Sequence, residues 1–230
     1  MRQNYAAGES NLAEILRNLK KDIRVEFRNP SALGTAISFA CIITLAVSIV
    51  SAGIPFPPMI QAILLWIILF FSAMNALLHI FTREEEEHTA LFLRLKISAE
   101  SIYISKLIFN AAFFFFIEAV VCPVFIFFAG SSVKNPLLFV STVIGGGLAI
   151  VSASTILSAM AAKAGGKGTL FTVISFPLLL PALLVSISTT AVSIESQDFI
   201  EYNNVFFLFA FSAAIIAISL LLFKYIWIEE

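Results

Sequence analysis

The chain has 230 residues, of which 60% are hydrophobic and only 13% charged, and its formal net charge is -1. Soluble domains average about 45–50% apolar and about 25% charged residues, so this composition excludes an ordinary water-soluble domain and indicates an integral membrane protein. A near-zero net charge says nothing of partners until the charges are sorted by side, and no nucleic-acid partner is expected.

The first thirty residues are polar, with no short apolar core ending in a small-residue cleavage site, so they do not read as a signal peptide. Asn11 with Glu14 makes a helix cap, after which Leu12, Ile15, Leu16, Leu19, Ile23 and Phe27 trace one face. Arg17, Lys20, Lys21, Arg24 and Arg28 line the remainder, with Glu14, Asp22 and Glu26 among them. Such a basic amphipathic helix most simply lies in the membrane interface, its cations near anionic head groups. It serves either as a plain anchor or also as part of a cradle for a soluble partner.

Six apolar spans follow. The first, Ala32 to Ala52, is uncharged and about 32 Å long as a helix, enough to cross the hydrocarbon. Ile54-Pro55-Phe56-Pro57-Pro58 is a tight turn, because its prolines cannot continue the first span. The others cover about Met59 to Phe81, Ile102 to Ala129, Leu137 to Ala162, Leu170 to Ser193 and Val205 to Ile228. The expected fold class is therefore all-α and polytopic. Residues 1–30 form an interfacial amphipathic helix, and residues 31–230 form a domain of six transmembrane helices with a short cytoplasmic helix between the second and third.

That short helix lies in Thr82 to Lys106, the longest charged interval of the chain. Thr82 followed by Glu85 gives a capping box, Glu84 to Glu87 suit the positive end of a helix, and Arg94 and Lys96 lie near its other end. Leu91, Phe92 and Leu95 supply an apolar side, and Ser98 is a second start signal leading into the third span. The interval reads either as a solvated turn or as a surface that presses against a partner.

Thirteen of the fourteen lysines and arginines fall on one side of this topology, counting Lys106 in the charged loop, and only Lys134 falls on the other. The positive-inside rule then places both termini, the 82–106 loop and the 163–168 loop in the cytoplasm.

Within the spans, Glu118 is a costly carboxylate that reads either as a helix–helix hydrogen bonder or as a transport residue. Asn75 and Asn110 read as interhelical hydrogen bonders. His79 and His88 are possible metal or haem-iron ligands in principle, but they read better as solvated or hydrogen-bonded side chains, and no bound metal is expected. Cys41 and Cys122 sit in apolar runs and read as packing residues. Gly145-Gly146-Gly147 reads as a close-packing surface. Phe176-Pro177-Leu178-Leu179-Leu180-Pro181 is expected to kink or break its helix. Ala164 to Thr169 lacks the spacing of a phosphate loop, so no ATP site is expected on this chain.

The order of an amphipathic helix reading Leu19-Lys20-Lys21-Asp22-Ile23-Arg24-Val25-Glu26-Phe27-Arg28, a charged loop after span two, and the proline run at 176–181 resembles the CcmB-type haem exporter permeases of bacterial cytochrome c maturation. These are six-span members of the ABC-2-like exporters. The resemblance implies a non-enzymatic permease subunit in the bacterial inner membrane that pairs as a homodimer on a separate ABC ATPase, where ATP is bound. It also implies a haem-handling membrane protein and a periplasmic haem chaperone as partners, with haem as a handled ligand rather than a resident cofactor. On this reading Arg24, Arg28, Glu84, Glu85, Leu91, Phe92 and Arg94 contact the ATPase, and Glu118, Phe176, Pro177 and Pro181 are transport or gating candidates. One departure is Glu87-His88-Thr89-Ala90, where the family usually carries a glycine. The alternatives are a general ABC-2 permease for a lipid, polysaccharide or drug, and a membrane scaffold without transport.

Overall fold

The structure is a computed structural model that describes residues 11–28, 31–51, 54–77, 97–163, 168–196 and 202–228. Its described residues form seven helices: α1 (Asn11–Arg28), α2 (Ser31–Ser51), α3 (Pro58–Leu77), α4 (Ala99–Phe128), α5 (Pro136–Lys163), α6 (Gly168–Glu195) and α7 (Tyr202–Ile228). Each predicted span falls on one of α2 to α7, with the boundaries that lie within the described residues displaced by a turn or less, while the predicted ends at Ala52 and Phe81 lie outside them. Five of them, α2 and α4 to α7, are long and apolar enough to cross a membrane, with mean hydropathies from 1.8 to 2.8 over the spanning windows. The apolar run of α3, Pro58–Met74, is shorter within the described residues. The tight turn before it is present, since residues 54–57 are non-helical and Pro58 opens α3.

Helix α5 is the hub of the bundle. Its spanning window is 72% buried, against 17% for α2 and 22% for α7, so the outer helices present most of their apolar surface to lipid. It packs on α3, α4, α6 and α7. The reason lies in its small residues, because helices in lipid gain little from apolar burial and depend on close backbone approach and interhelical hydrogen bonds. Three consecutive glycines meet three different helices. A Cβ on Gly145 would lie 3.1 Å from Cβ of Leu208 on α7, one on Gly146 would overlap the Trp66 indole of α3, and one on Gly147 would overlap the Glu118 carboxyl of α4. The Trp66 ring that fills the space above Gly146 also donates its indole N–H to Thr190 Oγ1 of α6 at 2.9 Å.

The end of the bundle remote from α1 is tied by the α4–α5 connection. Gly130 turns the chain with φ 64° beside Pro55, a left-handed conformation that glycine adopts without a Cβ clash. Ser131 Oγ donates to Gln61 Oε1. The side chain of Asn135 accepts from Leu138 N at 3.1 Å and so caps α5. The backbone N–H groups of Lys134 and Asn135 donate to Ser193 O, and Lys134 Nζ donates to Glu195 O at 2.8 Å. A cation on the last carbonyls of α6 offsets the negative end of that helix, which gives the isolated Lys134 a structural role.

Both prolines of the 176–181 run lie inside α6, and the helix passes through them without a break. Of the kink or break expected there, the break does not occur. Pro177 and Pro181 are exposed, whereas Leu179, Ala182 and Ser186 on the other side of α6 are buried in the bundle. Packing on that buried side keeps the helix in register while the donor-free prolines face outward.

The close packing at Gly146 sets a testable contrast. Gly146→Ala is expected to lower stability by about 1–3 kcal/mol through overpacking against Trp66. Gly34→Ala, where nothing lies within 4 Å of the added carbon, is expected to cause no loss. Thermal unfolding of both variants in one detergent checks this, and equal midpoints would refute the account of α5.

Candidate functional site

Two places gather polar side chains, one where α1 meets α4 and one deep between α4 and α5, and of the site candidates singled out in the sequence only Glu118 lies in either. At the first, Glu14, Asn18 and Asp22 recur every fourth residue of α1 and therefore share one helical face. That face lies against the start of α4. Ser98 is the N-cap of α4, as its pattern predicts, and its hydroxyl accepts from Ser101 N at 3.2 Å. The Ser98 backbone N–H and hydroxyl each approach Glu14 Oε2 at 3.4 Å. One turn further along α1, Asn18 Nδ2 donates to Ser105 Oγ at 2.6 Å. At the next turn Lys106 Nζ lies 3.0 Å from Asp22 Oδ1, with the two side chains only 1% and 8% exposed. Lys21 Nζ reaches the same carboxylate oxygen at 3.3 Å from the open side.

Lys106 is thus not a loop charge, as its place in the charged interval suggests, but a buried residue of α4. The correction has a simple cause: Asp22, read in the sequence as one polar position among several on α1, comes close enough to neutralise it. The opposite side of α1 behaves as expected for an amphipathic helix, since Leu12, Leu16, Ile23 and Phe27 are all exposed. Arg24 and Arg28, four residues apart, are also exposed and free of the α4 contact face. The remaining coupling candidates, Glu84, Glu85, Leu91, Phe92 and Arg94, lie outside the described residues, as do His79 and His88.

At the second place, Glu118 of α4 is 3% exposed, and its Oε1 has no hydrogen-bond partner. The carboxyl rests against Gly147 of α5. It lines a cavity of about 580 Å³ between α4 and α5, whose other walls include Phe115, Cys122, Pro123, Phe139 and Val143. Nearer the α1 end the same two helices are joined by a polar contact through the amide nitrogen of Asn110, whose Oδ1 has no partner. Asn110 Nδ2 donates to Thr155 Oγ1 at 2.9 Å, and that hydroxyl donates onward to Val151 O at 2.7 Å, so Asn110 is the interhelical hydrogen bonder its position predicts. The helix–helix hydrogen bond that was one expectation for Glu118 is not formed at its Oε1. Phe176 is half exposed and stacks edge to face on Phe70 at 6.0 Å. With Pro177 and Pro181 it belongs to the outer face of α6, so the four transport candidates are not gathered in one site. Pro123, a proline inside α4, was not singled out as a site residue, although it lies in the same cavity wall as Glu118.

A family model described as CcmB protein matches residues 13–225, from the first turns of α1 to the end of α7. The chain belongs to the CcmB family. It is a multi-pass membrane component of the haem exporter of cytochrome c maturation. No curated relative matches it. The matched region includes both the α1–α4 contact and Glu118, so each is part of the family's common body rather than an appended segment.

The buried ion pair generates a double-mutant prediction. Asp22→Ala, which takes the carboxylate away from buried Lys106, is expected to cost up to about 3–5 kcal/mol, whereas Lys106→Met, which leaves Asp22 with Lys21 on its open side, and the double variant, which removes both charges, are each expected to cost markedly less. Thermal unfolding of the detergent-solubilised protein measures all three. Additive losses would show that the two side chains do not act as a pair.

Proposed function

We propose that this CcmB-family chain is the permease subunit that couples a separate ABC ATPase to haem export, or to release of a haem-loaded chaperone, in cytochrome c maturation. The observation that carries the reading is the contact between α1 and the start of α4. Residues 97 and 98 join the charged loop directly to α4, and α4 is fastened to α1 by the Glu14, Asn18 and Asp22 contacts. A push on the loop is therefore delivered to α1 and α4 together, and through Asn110 and Thr155 to the hub helix α5.

In this proposal the second apolar run of the sequence, about Met59 to Phe81, completes six spans, and the basic residues around α1 and the 82–96 loop mark the cytoplasmic side of the bacterial inner membrane. Exposed Arg24 and Arg28 flank the docking surface, and Phe92 with Leu91 enters a cleft of the ATPase. Glu84, Glu85 and Arg94 at the rim orient the encounter. The permease works as a homodimer, beside a haem-handling membrane protein and a periplasmic haem chaperone. Pro177 and Pro181, which remove backbone donors from the outer face of α6, provide the place where that helix flexes between states. General export of a lipid, polysaccharide or drug has no observation that favours it over the family's haem-related role.

Titration of the purified ATPase onto permease in nanodiscs tests the docking. Phe92→Ala is expected to weaken association by about 1–3 kcal/mol, the range of an interface anchor. Charge reversal at Glu85 is expected to have a smaller effect that fades with salt. Equal affinity for F92A and the parent chain, with a crosslinker at position 92 capturing lipid but no ATPase, would return the loop to a simple interfacial connector.

A further inference from the structure

The cavity beside Glu118 is shaped for something the chain itself does not supply. Its α4 wall runs from Phe115 to Ile126 and its α5 wall from Pro136 to Ile144, meeting near Val133 in the connecting loop. Eleven helical steps span about 16 Å, roughly one leaflet of a bilayer. Val140 and Ile144 on its rim are 52% and 40% exposed, so the groove opens on the lipid-facing side of the bundle. Its walls are apolar except for Glu118, which sits at the deep end with Oε1 lacking a hydrogen-bond partner.

A buried carboxyl oxygen without a partner at that depth is costly, and a donor brought into the groove offsets the cost. A phospholipid entering the groove from the loop end places its head group at the mouth and its terminal methyl groups beside Glu118, where they offer none. A second copy of this chain docked through the same face sets Glu118 against Glu118 across a twofold axis, where the two carboxyls satisfy one another only by sharing one proton. A transmembrane helix has its backbone N–H groups already bonded within itself, so the donor must come from one of its side chains.

We propose that the α4–α5 groove is the seat of a transmembrane helix from a different membrane protein, and that this helix presents a donor side chain such as serine, threonine, asparagine, lysine or arginine at the depth of Glu118. Gly147 serves the same contact, because the absence of a Cβ lets the Glu118 carboxyl lie back against α5 and leaves the groove open in front of it. The apolar walls accept the side-chain ridge of the incoming helix, and the carboxyl fixes its register. This docking does not rest on the ATPase reading, since the groove and the α1–α4 contact are at opposite ends of α4.

A photocrosslinking residue at Val140, in cells that produce the whole maturation system, tests the proposal. The expected product joins this chain to one other membrane protein through a peptide mapped within a turn of a donor residue in a transmembrane helix. Glu118→Leu is expected to lower its yield at least tenfold. Replacing the mapped donor by leucine should do the same, and the two changes together should lower it no further. ATPase association of the E118L chain is expected to be unchanged, which separates this test from that of ATPase docking. If E118L does not accumulate, Ile144→Trp, which fills the rim and leaves Glu118 in place, is expected to give the same loss. A product with lipid alone, a product with a second copy of this chain, or an undiminished yield in these variants would overturn the proposal.

Discussion

The buried ion pair between Asp22 and Lys106 is the constraint on which the organisation of the molecule depends. The two residues are 84 positions apart in sequence, and their burial makes the loss of either one costly. An amphipathic helix with only an apolar face for lipid is free to float in the interface. Here the other face carries Glu14, Asn18 and Asp22 in register with Ser98, Ser105 and Lys106, so α1 becomes a fixed part of the bundle. The contact is not a maximally stable one. Asp22 Oδ2 and Asn18 Oδ1 have no hydrogen-bond partners, and a well-packed apolar seam would avoid that loss. What the polar seam provides is one defined register between α1 and α4, which the proposed coupling of the charged loop to the bundle requires.

From that seam inward the route is made of small residues and single hydrogen bonds. Asn110 and Thr155 link α4 to α5, and Trp66 and Thr190 link α3 to α6 across the space that Gly146 leaves. Because lipid is as apolar as leucine, such contacts decide which helices neighbour which. The glycines let one helix, α5, hold three others at close range. The same economy of side chains leaves Glu118 against Gly147 with an open groove beside it, so the packing that stabilises the bundle and the feature that marks a docking surface have a common origin.

Much of this architecture is legible in the sequence where the physics is local. Long uncharged runs place the helices α2 to α7, Ser98 marks the start of α4 because a cap is a short-range hydrogen bond, and the spacing of Leu12, Leu16, Ile23 and Phe27 identifies the exposed apolar face of α1. Asn110 is readable as an interhelical donor because a buried amide needs a partner. The partner of Lys106 is not readable, since hydropathy treats every lysine near a span end alike and only tertiary structure brings Asp22 to it. The proline pair reports the loss of backbone donors, but whether the helix breaks there depends on the packing of its other face. Gly145 to Gly147 announce close approach without naming which helix approaches.

Spin-label distance measurement between Leu16→Cys on α1 and Ile108→Cys on α4, in an assembled complex lacking Cys41 and Cys122, tests most directly whether these two helices act as one unit. The polar seam predicts a narrow distance distribution whose centre is the same without nucleotide, with a non-hydrolysable ATP analogue and during turnover. A distribution that broadens or shifts by several ångströms between these states would contradict the account, because α1 would then move independently of the helix to which Asp22 and Lys106 bind it.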